Sequence, residues 1–115
     1  MASRYVDVQL GERSWRMPAT RAVWLQLARA NLDPLRITWQ LGRGQFNWDL
    51  ETLTAIVHAG VSAAGCKMQR DEVQEEIFQR GVMPFIVVAA SYVHELVQGG
   101  PEKPLPGSES NADPK

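Results

Sequence analysis

The stretch that decides the fold runs from Asn47 to Gly65 and reads NWDLETLTAIVHAGVSAAG. Leu50, Leu53, Ile56, Val57, Gly60, Val61 and Ala64 recur at spacings of three and four, the repeat of one helix face. Asn47 or Asp49 can start this helix, since a short polar side chain accepts from the free amides of a first turn. Gly65 supplies the stop. Thr54, His58 and Ser62 are expected on the opposite side. So wide an apolar stripe has to be covered, and the flanking sequence provides the cover.

Downstream, Gln69 to Arg80 reads as a short acidic helix anchored by Val73, Ile77 and Phe78. Gly81 ends it, and Pro84 suits the first turn of a final helix reaching about Gln98. Phe85, Ile86, Ala89, Ala90, Val93, Leu96 and Val97 occupy most of that helix's circumference. Ser91, His94, Glu95 and Gln98 leave only a narrow polar strip, so this is the helix expected to be most buried. Pro101 to Lys115 holds four prolines and one sizeable apolar residue, Leu105, which predicts a disordered tail.

Upstream, Tyr5 to Leu10 and Arg13 to Met17 each alternate polar with apolar residues around Gly11-Glu12, the pattern of a β-hairpin. Val6, Val8 and Leu10 share one face, and Trp15 and Met17 can share a buried one. Two strands alone are marginal, so the hairpin must lie on helices. Thr20 can cap a first helix to about Ala30, with Val23, Trp24, Leu27 and Ala28 as its stripe. Asp33 and Pro34 open a second, short helix carrying Leu35, Ile37, Thr38, Trp39 and Leu41 up to Gly42-Arg43-Gly44. The expected architecture is mainly α with a small N-terminal β-hairpin (α+β). It is a bundle of about five helices in one domain over residues 1–99, with a Pro-rich tail at 100–115.

A chain of 115 residues with 44% hydrophobic and 22% charged side chains fits one globular domain. The formal net charge is −1, so no overall field directs it to nucleic acid or membrane. The charges are nonetheless divided. Up to Arg43 there are seven arginines against Asp7, Glu12 and Asp33, a net of +4; beyond it five basic residues face ten acids, a net of −5. This describes either two solvated faces or a dipolar molecule able to self-associate or dock on a charged partner. Cys66 is the only cysteine, which makes a reducing cytoplasm the default. The start lacks a signal-peptide pattern, and Val82 to Ala90 falls short of a membrane span.

Catalytic and metal chemistry find little to work with. His58, His94 and Cys66 lie on different elements without metal-ligand spacing. Cys66 has no evident histidine partner, and Ser91 with His94 is a pair lacking a third group. Asp71, Glu72, Glu75 and Glu76 crowd near a helix N-terminus, where acids are favoured by the backbone dipole. Gly42-Arg43-Gly44-Gln45 lacks the lysine and hydroxyl of a phosphate loop. No enzyme, cofactor or metal is expected. The first two helices can be read as a helix-turn-helix with Arg21, Arg29, Arg36 and Arg43, but Leu35, Ile37, Trp39 and Leu41 suit base edges poorly.

The aromatic residues point elsewhere. There are four tryptophans, and Trp39, Phe46 and Trp48 flank a glycine-containing loop. Either they seal the core where helices meet, or they form a patch that binds another chain. Trp39, Phe46, Trp48, Arg21, Arg29 and Arg36 are the candidate partner-binding residues.

The order of these passages resembles the tail assembly chaperone family of gene transfer agents and long-tailed (pro)phages. The likeness rests on RWRMPATRAVWLQL, GQFNWDLETLTAIVHAGVSAAG and MQRDEVQEEIF followed by a long apolar helix, and covers about Tyr5 to Val97. It implies a bacterial cytoplasmic protein that binds the tape measure protein, helps recruit tail tube protein, and is absent from the mature particle. A connector retained in the particle is the alternative, and a helix-turn-helix DNA-binding regulator the second. Nucleic acid and membrane are not expected partners on the first reading.

Overall fold

A computed structural model describes residues 4–98 of the chain. The expected tail at 100–115 and the outermost residues of the expected domain lie outside the described residues. Two strands, β1 (Tyr5–Leu10) and β2 (Arg13–Pro18), precede five helices. These are α1 (Arg21–Arg29), α2 (Pro34–Gly42), α3 (Leu50–Ala63), α4 (Arg70–Arg80) and α5 (Val82–Gln98). The mainly helical architecture with an N-terminal hairpin is the one the sequence predicts.

The hairpin closes tightly because Gly11 adopts φ +62° while Glu12 stays at negative φ, the geometry of a type II′ turn. Its register pairs Val6 with Met17, Val8 with Trp15 and Leu10 with Arg13. Those side chains therefore share the inner face, where Val8, Leu10 and Met17 are buried and Val6 and Trp15 pack against the core. On the outer face Arg16 bridges Asp7 at 3.4 Å and lays its guanidinium 4.0 Å over the Tyr5 ring. An exposed pair of this kind contributes at most about 1 kcal/mol. The turn is tied to α4 by Glu76, which accepts from the Gly11 N–H at 2.9 Å, and by Arg80, which donates to the Gly11 carbonyl and pairs with Glu76 at 3.3 Å. Of the four acids on α4, Glu76 is the one that clamps the hairpin.

The first four helices begin where a capping residue stands. Thr20 Oγ1 accepts from the Val23 N–H at 3.3 Å, and Asp33 Oδ1 from that of Leu35 at 3.3 Å. Asp49 Oδ1 accepts from the Thr52 N–H at 2.7 Å, and Glu72 returns to the Gln69 N–H at 2.7 Å in a capping box. The Thr52 backbone hydrogen bond, followed by one from its side chain, holds the Asp49 carboxyl below its ordinary value of 3.8. A lowered folded-state pKa contributes stability that is full above the unfolded value and lost as pH falls through the folded one. Acid titration of Asp49→Asn against the parent should therefore show a smaller loss of stability below pH ~4 in the variant. An identical acid limb in both would remove Asp49 from the account.

The helix expected to be most buried is α5, but α3 holds that place. From Leu53 to Val57 and from Ala59 to Val61 it is buried without interruption, because α1, α4, α5 and β2 all pack on it. Thr54, expected outside, is buried as well. Its hydroxyl is satisfied by donating to the Leu50 carbonyl at 2.7 Å and accepting from Gln74 Nε2 at 3.4 Å. His58 and Ser62 are only half-covered. By contrast α5 buries Phe85, Ala89, Tyr92, Val93 and Leu96 but leaves Met83 and Val87 exposed. Phe78, expected to anchor α4, is exposed too, which leaves Val73 and Ile77 as the buried apolar residues of that helix.

Candidate interaction surface

The short helix α2 presents the most distinctive surface. Asn31, in the left-handed region at φ +63°, turns the chain out of α1, and Asp33 with Pro34 restarts it. Ile37 and Pro34 face the core and are buried. Leu35 and Trp39, one turn apart on the opposite side, are 59% and 60% exposed. An alternating run of apolar residues on a helix cannot all point one way, since the helix advances about 100° per residue. Leu35, Ile37, Trp39 and Leu41 carry that information in the sequence.

Two arginines frame the apolar pair. The Arg43 guanidinium lies 4.6 Å from the centroid of the Trp39 ring, a cation–π contact that steadies the indole. Arg36 donates to Asn31 Oδ1 at 3.1 Å and to the Asn31 carbonyl, closing the α1–α2 turn. Arg21 and Arg29 are exposed on α1. Helix α2 packs against α5, whose own outward residues Met83 and Val87, again one turn apart, are 69% and 65% exposed. Exposed apolar side chains arranged in a contiguous group mark contact surfaces, whereas scattered ones need no explanation.

The structure separates the three aromatic candidates. Phe46 and Trp48 meet edge to face with centroids 4.8 Å apart, half-buried against the core in the α2–α3 connection. They seal the domain, as do the half-buried Trp15 and Trp24. Trp39 alone stands outside. Leu35, Met83 and Val87 are not among the expected partner-binding residues, and Phe78 is expected to anchor α4 rather than to stand exposed. Their signal was the excess of apolar positions over what one buried face of each helix can hold.

Other groups fall into structural roles. Cys66 is buried beneath an open cleft between the hairpin turn and the α3–α4 connection. His94 lies beside Gln98 at 2.6 Å, and Glu51 pairs with Arg70 at 3.9 Å. Among the described residues no three His, Cys, Asp or Glu side chains converge as metal ligands, and no helix is long and apolar enough to cross a membrane. A second cleft of about 210 Å³ lies between β1 and the α4–α5 corner, lined by Val8, Gln9, Arg80, Pro84, Phe85 and Val88. It is walled by side chains without a polar cluster that could do chemistry. Comparison of the chain with protein-family models, with curated proteins and with solved structures finds no match.

Proposed function

We propose that this chain is a tail assembly chaperone. It binds helical segments of a tape measure protein before the tail tube surrounds them, and helps recruit tube subunits. The observation that supports this reading most is the outward Leu35–Trp39 pair on α2. A large indole and a leucine, exposed one turn apart and steadied by Arg43, are groups that gain free energy by accepting an apolar helix face. A tape measure is a long, largely helical chain whose apolar faces need such cover. Many modest contacts along one such chain would be strengthened by their number.

Co-expression with a tape measure protein, followed by size-exclusion chromatography with light scattering, tests the reading. A soluble complex is expected, with the tape measure protein insoluble when expressed alone. Exposed aromatic anchors that become buried on binding often account for about 2 kcal/mol or more. Trp39→Ala should accordingly weaken the complex by roughly thirty-fold while leaving the far-UV circular dichroism of the free chain unchanged. Separate elution of the two proteins, together with recovery of this chain from assembled particles, would move the reading to a retained connector.

A further inference from the structure

From the charge distribution around α2, we infer that its outward face accepts an amphipathic helix whose apolar stripe is flanked by acidic residues. This rests on the partner-binding reading above and specifies the chemistry of the segment bound. Two parallel stripes run along α2. Leu35, Trp39 and Gly42 follow the i, i+4, i+7 repeat, and Arg36, Gln40 and Arg43 follow the same repeat one residue later. The first stripe is apolar and ends on a glycine at which an added methyl would meet nothing within 4 Å, so a partner can approach the backbone there. The second is basic at both ends.

Charge decides the occupant. From Arg21 to Arg43 there are four arginines and a single acid, Asp33, which caps α2 by accepting from the Leu35 N–H. Glu95 on the neighbouring α5 is paired with Arg4 at 3.9 Å. Even with the Asp33 charge counted, the arginines outnumber the acids here, so the stripe carries net positive charge that a basic or uniformly apolar helix would leave unpaired. Helical form follows from the surface itself. The backbone of α2 is internally bonded and offers no strand edge, whereas its ridge of about 12 Å from Leu35 to Arg43 matches two turns of a second helix. Acids on one flank of that helix would meet Arg36 and Arg43 while its apolar residues cover Leu35 and Trp39. Arg29 is exposed at the end of α1, just before the turn.

Two synthetic peptides of about 18 residues test this, sharing one Leu-rich stripe and differing only in flanking Glu or Lys. Their binding to the full chain is read by fluorescence anisotropy at about 50 mM and about 500 mM salt. The Glu peptide should bind at least tenfold more tightly at low salt, and the advantage should shrink at high salt. Arg43→Gln and the double variant Arg36→Gln, Arg43→Gln should progressively remove the preference, with circular dichroism confirming that each is folded. Trp39→Ala should weaken both peptides equally. Equal affinities, a preference for the Lys peptide, no binding of either, or a preference indifferent to the arginine variants would each overturn the inference. If the tape measure protein co-elutes and depends on Trp39 while the peptides show no charge preference, the chaperone reading stands and this one falls. If the Glu peptide binds as expected but the tape measure protein does not, the reverse holds.

Discussion

Gly60→Ala should destabilise the protein by about 1–2 kcal/mol, although alanine is the better helix former. Gly60 lies inside α3, where glycine normally costs about 0.5–1 kcal/mol relative to alanine. Here the missing side chain is what lets β2 and α5 close on α3. A methyl at this position would lie 2.5 Å from Met17 Sδ, 2.9 Å from Met17 Cγ and 3.0 Å from Tyr92 Cε2. Both neighbours are completely buried, so neither can swing into solvent to make room. Overpacking a core costs typically 1–3 kcal/mol, which exceeds the helix-propensity gain. At roughly 3–8 °C per kcal/mol for a domain of this size, the melting temperature should fall measurably. A double-mutant cycle identifies the cause. Met17→Ala alone should cost about 2–5 kcal/mol, and adding Gly60→Ala to it should be neutral or favourable, because the new methyl then enters the space left by the thioether. Urea unfolding of the four proteins measures this. A Gly60→Ala variant more stable than the parent, or strict additivity with Met17→Ala, would show that the contact is not what holds Gly60.

Tyr92→Ala should cost more, about 3–5 kcal/mol, enough to unfold much of a domain whose total stability is marginal. Tyr92 is the largest of the fully buried side chains and lies between α5, α3 and the end of the hairpin. Its hydroxyl donates to the Pro18 carbonyl at 2.6 Å. Pro18 ends β2 opposite Tyr5, so this bond fastens the hairpin's open end to α5, as Glu76 and Arg80 fasten its turn to α4. Tyr92→Phe keeps the ring and should lose only the hydrogen bond, about 1–2 kcal/mol. Burial also pushes the Tyr92 phenol above its ordinary value of 10.0. A raised folded-state pKa contributes stability that is full below the unfolded value and is lost as pH rises toward the folded one. Alkaline unfolding beginning above pH ~10 should therefore be weakened in Tyr92→Phe, whose ring cannot ionise. Equal alkaline limbs would show that other groups govern that limit.

Local chemistry made most of the secondary structure legible. Thr20 and Asp33 are read as caps from the sequence, and Asp49 as one of two candidates beside Asn47, because capping depends on a side chain and the two or three amides that follow it. The Gly11-Glu12 turn is readable for the same reason, as it needs only one residue at positive φ. The apolar repeats of α3 and α5 likewise announce helices that must be covered.

Tertiary packing decided which faces are covered and by what. Thr54 sits on the polar side of its own helix by pattern, yet four elements converge on α3 and bury it, with Leu50 and Gln74 supplying the missing hydrogen-bond partners. Phe78, Met83 and Val87 look like core residues by type, but among the described residues no element covers them. The same holds for the candidate surface. Trp39, Phe46 and Trp48 are close in sequence and alike in composition, yet Trp39 stands on the outward side of α2 while Phe46 and Trp48, in the connection to α3, pack on the core. Periodicity places a side chain on a helix; the neighbours that the whole chain brings to that helix determine whether it is stored in the core or left free to bind.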